Sequence, residues 1–245
     1  MASLVFIQRR FLTKEKKSIF KNIFSEKGGY TLHSHIVQIG DPILRLPTQT
    51  VEKSAIKSES IQQTIRTLKE VIKKYDAVGV SAPQIGVPLK IICVQMTRKQ
   101  LDVWDPQTIK DRGMEAFRQK ILINPESKVV NFEIELHREG CCSVNGFSGR
   151  VPRPKEIVVK ALTEEGEEVN FSAKNWTARI IQHEIDHLNG HLFTDTAVPE
   201  SLMFEYWETV NNRKGQFSLT YAGLETLKKW KLLFFPSFLF KQRRN

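Results

Sequence analysis

Residues 175–190 read Asn175-Trp176-Thr177-Ala178-Arg179-Ile180-Ile181-Gln182-His183-Glu184-Ile185-Asp186-His187-Leu188-Asn189-Gly190. Ile180, Ile181, Ile185 and Leu188 recur at helical spacing. Asn175 or Thr177 supplies a start signal and Gly190 a stop signal, so the stretch predicts a helix. On that helix His183 and His187, four apart, share a face, with Cβ atoms about 5–6 Å apart. Two imidazoles so placed can bind one metal ion, and Glu184 beside the first can act as general base toward a water that the metal activates. The same pattern also occurs on ordinary surface helices, where the histidine pair is only solvated.

A catalytic site of this kind needs a third protein ligand and one open position. A histidine six residues past the second would make a metzincin, but that position is Phe193. His191 follows Gly190, past the predicted helix end, and reads as a surface residue. Glu205 or Glu208 would suit a carboxylate-liganded zincin. Upstream, Glu139-Gly140-Cys141-Cys142-Ser143 offers a thiolate. A buried free thiol is usually an inert small hydrophobe, yet two adjacent thiols near a strand end weaken that reading. The residues alone leave the third ligand open.

Further outward, the spacing of Ile61, Ile65, Leu68, Val71, Ile72 and Tyr75 predicts a helix from Ser58, with Ser58 or Ser60 as its cap and Asp76-Ala77-Val78-Gly79 ending it. Ile91 to Val94 reads as a buried strand, and Ile121 to Asn124 and Val129 to Leu136 as two more. Ile157 to Leu162 and Glu168 to Phe171 read as a hairpin around Glu165-Gly166. Gly40 to Val51 is loop-like, and residues 97–119 carry no clear period and read as a loop excursion. Helix, strands, then helix make an α+β domain.

The chain has 245 residues, 40% hydrophobic and 26% charged, which excludes wholesale disorder. No apolar run reaches the roughly 18–20 residues of a membrane span. Cys93, Cys141 and Cys142 are too few for a secreted disulfide scaffold. The net charge of +10 sits at the ends: residues 1–30 carry +5, residues 213–245 carry +7, and residues 31–212 carry −2. A nucleic-acid-binding core would carry its basic footprint on the folded part, so no direct nucleic-acid binding is expected. Residues 1–30 interleave apolar residues with Arg9, Arg10, Lys14, Lys16, Lys17 and Lys21, the composition of a mitochondrial presequence. The end, 213–245, has an apolar stretch from Leu232 to Phe240 broken by Pro236, too short to span a bilayer. It reads either as an interfacial anchor or as a variable tail.

A third stretch, Gly79-Val80-Ser81-Ala82-Pro83-Gln84-Ile85-Gly86, offers backbone groups unshielded by large side chains and one neutral amide. Such backbone can pair with an extended peptide, and an amide donor such as Gln84 suits an oxyanion hole. Together, Ala77-Val78-Gly79-Val80-Ser81-Ala82-Pro83-Gln84, Glu139-Gly140-Cys141-Cys142-Ser143 and Gln182-His183-Glu184-Ile185-Asp186-His187-Leu188-Asn189-Gly190 resemble, in order, the three motifs of the peptide deformylase family. The resemblance runs from about Gly40 to Val198. It includes Asp41-Pro42-Ile43-Leu44-Arg45 and Val151-Pro152-Arg153, and its wording is most like the animal mitochondrial type.

That resemblance implies a single α+β domain over residues 31–212, with mixed or antiparallel strands packed around a central metal-binding helix. It implies Cys141, His183 and His187 as metal ligands, with a water or hydroxide in the fourth position, and Glu184 as base and then acid. It implies the Gln84 amide and the Cys142 backbone N–H as oxyanion donors. Gly79 and Val80 would pair with the substrate backbone and Gly140 would line it, while Val78, Trp176 and Ile180 would lie near the methionine side-chain pocket. The implied cofactor is one divalent ion, Fe2+ in the first place, with Zn2+, Co2+ or Ni2+ as substitutes. The implied substrates are N-formylmethionyl nascent peptides, with the mitochondrial matrix as the compartment, the mitochondrial ribosome as a functional neighbour, and room for a homodimer.

Departures are few. Ala77 replaces the first motif glycine, Val80-Ser81 replaces Leu-Ala, and Cys142 stands where most members have Leu. A vicinal Cys141–Cys142 disulfide would remove the thiolate, but such rings are strained. The competing expectation is a catalytically silent metal-bound relative acting as a binding protein. Glu184 argues against it, because a purely structural metal has no use for a base.

Overall fold

The computed structural model describes residues 30–222. The presequence expected at residues 1–30 lies outside the described residues except for Tyr30, and so does the tail beyond Ala222. The elements in chain order are α1 (Glu59–Lys74), β1 (Gly79–Ser81), β2 (Ile91–Met96), α2 (Arg98–Leu101), α3 (Pro106–Asp111), β3 (Phe117–Gly140), β4 (Phe147–Leu162), β5 (Glu168–Lys174), α4 (Asn175–Leu188), β6 (Met203–Phe204) and α5 (Trp207–Asn212). One sheet runs in the order β1-β2-β3-β4-β5, every neighbour antiparallel, with β6 added to the start of β4. This is the α+β domain expected from the sequence.

Strand alternation sends neighbouring side chains to opposite faces, and the two helices use both. Ile91 and Cys93 of β2 join Ile61, Ile65, Leu68, Val71 and Ile72 of α1 in one apolar cluster. Ile92 and Val94 join Ala178, Ile180, Ile181 and Leu188 of α4 in a second. This double coverage is why β2 reads as a continuous apolar run: all six of its residues are buried. A third cluster, including Leu44, Leu46, Val144, Val151 and Phe193, closes over the end of the sheet near Cys141.

Two readings change. Ile121–Asn124 and Val129–Leu136 belong to the single strand β3, which carries register shifts between Ile123 and Glu126 and between Val129 and Ile134. Asn124 sits at φ 52, and its side chain bonds the Val51 backbone at both ends (2.8 and 2.8 Å), so bulges interrupt the period of two without ending the strand. Residues 97–119 hold two short helices, α2 and α3, each capped by its own side chain, Thr97 on Gln100 and Asp105 on Thr108. They are too short to show a helical period.

α1 ends as read, with Asp76 at φ 52, but Ser58 makes no side-chain cap bond. The hairpin joining β4 and β5 turns at Gly166, φ 87. Past α5, Phe217 packs on Phe204 and Tyr206, and the backbone carbonyls of Thr220 and Tyr221 accept from Asn145 Nδ2 (3.1 Å) and Tyr75 Oη (2.9 Å).

α4 stops at Gly190, where φ is 74 and an added Cβ would lie 2.7 Å from the Arg45 carbonyl oxygen. Gly190→Ala therefore combines a left-handed backbone that disfavours a side chain with a backbone clash. A loss of about 1–3 kcal/mol is expected, seen as a fall in Tm of several degrees. An unchanged melting curve would refute this account.

Candidate metal centre

The donor groups come from three parts of the chain. α4 carries His183, Glu184 and His187 on its inner side. The turn after β3 carries Cys141. β1 and the short 3-10 turn after it (Ala82–Ile85) carry Gly79 and Gln84. Cys141 Sγ lies 3.2 Å from His187 Nε2, and the ligand atoms of Cys141, His183 and His187 all lie within 4.8 Å of one another. This is the only such group of three among the described residues, and neither Glu205 nor Glu208 belongs to it. Glu205 instead bonds the Ser148 hydroxyl, and His191 is exposed, as read.

The donor set fits a divalent transition ion. Thiolate and imidazole are its usual protein ligands. His183 Nδ1 is 3.0 Å from the Glu139 carboxylate, which leaves its Nε2 for an ion, the outer arrangement typical of ligating histidines. Glu184 is 3% exposed, and among the described residues its Oε2 has no hydrogen-bond partner. Burial pushes its carboxyl up to about 7, opposed by the charges of His183 and Arg153. A buried oxygen without a partner is costly, and here it belongs to the residue that follows His183, one of the three candidate ligands.

Sequence reasoning missed the hub beneath the triad. The Glu139 carboxylate accepts from Arg153 Nε (2.7 Å) and Nη2 (2.9 Å) and from Arg179 Nη1 (2.7 Å), besides facing His183. Arg153 also bonds Asp186 Oδ2 (2.7 Å), and Arg179 bonds the carbonyls of Val151 (2.8 Å) and Glu135 (2.6 Å). Burial alone raises a carboxyl pKa, but hydrogen bonds from Arg153 and His183 outweigh it and hold Glu139 well below the usual range. Glu139 and Cys141 lie two apart and the arginines fall in the Arg153 and Arg179 segments, so the signal was adjacency to motifs, not a local pattern.

Each remaining expected residue can be placed. Gln84 is buried. Its Oε1 accepts from Ser81 N (2.8 Å), which turns its Nε2 toward Ser143 Oγ (3.1 Å) and Cys141 Sγ (3.5 Å). Cys141 and Cys142 are free thiols. Burial, then the Cys141 and Glu184 charges, push the Cys142 thiol up to about 12, so it stays neutral. The Cys142 carbonyl accepts from Gln38 Nε2 (2.9 Å). β1 is an edge strand: Gly79 and Val80 pair with Val94 and Cys93 on one side only. Gly140 ends β3 opposite Ser148. Trp176 and Ile180, four apart on α4, share a face, and Val78 and Trp176 pack on the cluster that contains Ile180.

Gly79 has no side chain because Glu184 occupies that space. An added Cβ would lie 2.3 Å from Glu184 Oε1 and 2.9 Å from Cγ. Gly79→Ala must therefore push the carboxylate out of place. The expected result is a fall of about 10²-fold in kcat, since misplacement of about 1 Å has that effect, with a nearly unchanged Tm. Equal kcat values for variant and wild type would refute it.

The sequence model described as polypeptide deformylase matches residues 33–202. The mitochondrial peptide deformylase of Homo sapiens is 36% identical over 179 residues, 73% of this chain and 74% of the human one. Peptide deformylase 1A, chloroplastic/mitochondrial, of Arabidopsis thaliana is 37% identical over 177 residues, 72% of this chain and 64% of the plant one. Among solved structures, the class I type b peptide deformylase of Acinetobacter baumannii with Met-Ala-Ser bound has a TM-score of 0.59 at 29% identity, covering 68% of this chain and 99% of that one. The peptide deformylase of Synechococcus elongatus in complex with actinonin has a TM-score of 0.56 at 29% identity, covering 76% and 88%.

Proposed function

This chain belongs to the polypeptide deformylase family, and from that membership we propose how its own residues hydrolyse the formyl amide of an N-terminal formylmethionine to formate and a free amine. The observation that carries the reading is the convergence of the Cys141, His183 and His187 ligand atoms within 4.8 Å beside a buried, unpartnered Glu184 oxygen. The three ligands would hold one divalent ion, Fe2+ in our reading, with Zn2+, Co2+ or Ni2+ as substitutes. When bound, the ion lowers the pKa of a water and polarises the formyl carbonyl.

The chain's own groups do the rest. Glu184 Oε2 takes a proton from the attacking water and delivers it to the amine nitrogen as the C–N bond breaks. Gln84 Nε2 and the Cys142 backbone N–H donate to the formyl oxygen as charge develops on it. In support, Gln84 is oriented by Ser81, and the Cys142 N–H makes no hydrogen bond among the described residues. The free edge of β1 at Gly79 and Val80 receives the peptide backbone as an added strand, with Gly140 on the facing wall. Val78, Trp176 and Ile180 surround the methionine side chain.

The substrates are formylmethionyl nascent chains. Mitochondrial and chloroplast relatives support an organellar location, and the basic, acid-poor residues 1–30 support the mitochondrial matrix, next to its ribosomes. We read residues 31–212 as the catalytic domain, residues 213–245 as an appended tail, and the protein as compatible with a homodimer. The test is formate release from formyl-Met-Ala-Ser by full-length protein loaded anaerobically with Fe2+ or Co2+. Formate and free amine in equal amounts are expected; no formate from protein holding one ion per chain would overturn the reading and favour a silent relative.

A further inference from the structure

The two donors assigned above to the formyl oxygen, the Gln84 amide and the Cys142 backbone N–H, lie on separate turns. One short segment ties those turns together. His33 N and Val37 N donate to the carbonyls of Ile85 and Gln84 (2.9 and 2.9 Å), and Ile39 N donates to the Ser143 carbonyl (2.7 Å). Between them, Gln38 Nε2 donates to the Cys142 carbonyl (2.9 Å) and, at 3.3 Å, to that of Ile36. Gln38 Oε1 accepts from Asn145 N at 3.4 Å. Consecutive residues thus grip the two donor turns, Val37 by its backbone at Gln84 and Gln38 by its side chain at Cys142. The backbone bonds survive any substitution except proline, whereas the grip on Cys142 depends on the side chain at 38.

The segment is itself firmly seated. Ile36 is buried in the apolar cluster built on α1, and Val37 in the cluster near Cys141. Ile36 N donates to Tyr75 Oη (3.2 Å). The segment crosses the end of the Gln84 turn at Gly86, φ 82, where a Cβ would lie 2.2 Å from the Thr31 carbonyl oxygen. At the other turn, Val144 N bonds back to the Cys141 carbonyl (3.0 Å), so Cys141–Val144 is a closed four-residue turn with the Cys142–Ser143 peptide at its centre. A peptide unit is planar, with its N–H and C=O pointing opposite ways. Gln38 holds the carbonyl of that central unit, and its N–H, on Ser143, points to Cys141 Sγ (3.4 Å). The unit before it carries the Cys142 N–H.

We propose that Gln38 is a positioning residue, whose side chain locks the central peptide of the Cys141–Val144 turn and so keeps the Cys142 N–H aimed at the formyl oxygen. This rests on the deformylase reading. Gln38 touches neither substrate nor ion in this scheme; it acts through the backbone of Cys142. Rotation of the central peptide is the soft motion of a four-residue turn, since it changes only ψ of Cys142 and φ of Ser143. An amide that donates at one end and accepts at the other opposes that rotation from both sides of the turn. A donor that must meet developing charge has to be in place before the reaction, so freedom in the turn is felt in the transition state and little in ground-state binding.

The test uses full-length, metal-loaded wild type, Gln38→Met and Gln38→Glu. Met fills the volume without the hydrogen bonds. Glu keeps the shape and the acceptor for Asn145 N but cannot donate to the Cys142 carbonyl, and it carries the test if the Met variant does not fold. Three quantities are measured: kcat and KM for formyl-Met-Ala-Ser, and the Kd of the product peptide Met-Ala-Ser by calorimetry, with metal content as control. The product has no formyl oxygen, so its binding does not use the Cys142 N–H. In both variants kcat should fall about tenfold, part of the roughly 10²–10³-fold that loss of an oxyanion donor costs, while KM and the product Kd stay within about twofold of wild type. Wild-type kcat in a folded variant would overturn the proposal. So would a product Kd that weakens as much as kcat falls, because Gln38 would then support the cleft as a whole. Absence of formate from wild type would instead defeat the underlying reading.

Discussion

Glu184→Gln is expected to keep the fold and the bound ion but to lose formate release by about 10²–10⁴-fold, the range that a positioned acid–base group supplies. The amide is isosteric, so the volume above Gly79 stays filled. It can neither take a proton from water nor deliver one to the amine. The loss should fall on kcat, with KM changed little, because Glu184 is assigned to the reacting atoms and not to side-chain binding. Metal content by atomic absorption and Tm provide the controls. A variant with full metal and wild-type kcat would remove Glu184 from the mechanism.

The largest stability effect should come from Glu139→Gln. One carboxylate holds Arg153, Arg179 and His183 in a buried setting. Removing one partner of a buried ion pair leaves the others without compensation and costs about 3–5 kcal/mol, a fall of roughly 10 °C in Tm for a domain of this size. His183 loses its orienting acceptor at the same time, so metal affinity should drop about 10–100-fold.

The pH dependence follows from the sign of the shift. The folded carboxyl is held below its ordinary value of 4.5, so its stabilisation is present above about 4.5 and drains away as pH falls toward the depressed folded value. The gap in stability between wild type and Glu139→Gln, measured on metal-free protein, should therefore be widest at neutral pH and narrow below about pH 4. A constant gap across that range would show that the carboxylate's charge is not what stabilises the fold.

Much of this was legible in the sequence, for reasons that lie in spacing. His183, Glu184 and His187 fall on one helical face by the 3.6-residue period, and Gly190 ends that helix where it was read to end. The Cys141 motif and the Gln84 motif come to α4 across the intervening strands β2 to β5, so their convergence was available only through resemblance to a family. The continuity of β3 was hidden because bulges reset the period of two. The Glu139 hub was hidden because its partners lie 14 and 40 residues away in the chain, and ion pairs at such separations leave no local pattern.

The close approach of Glu184 to Gly79 also has a consequence for how this protein can change over generations. The two positions share one volume, so their substitutions are epistatic. A methyl group at 79 is costly while Cγ, Cδ and Oε1 of Glu184 stand over it. In a Glu184→Ala background, which lacks the Cγ, Cδ and carboxylate that crowd position 79, Gly79→Ala should meet no steric conflict there, a coupling of the kind contacting pairs show. Neither position can drift alone: only a lineage that trims residue 184 back past Cγ opens room at position 79, and a side chain added at 79 must displace the glutamate.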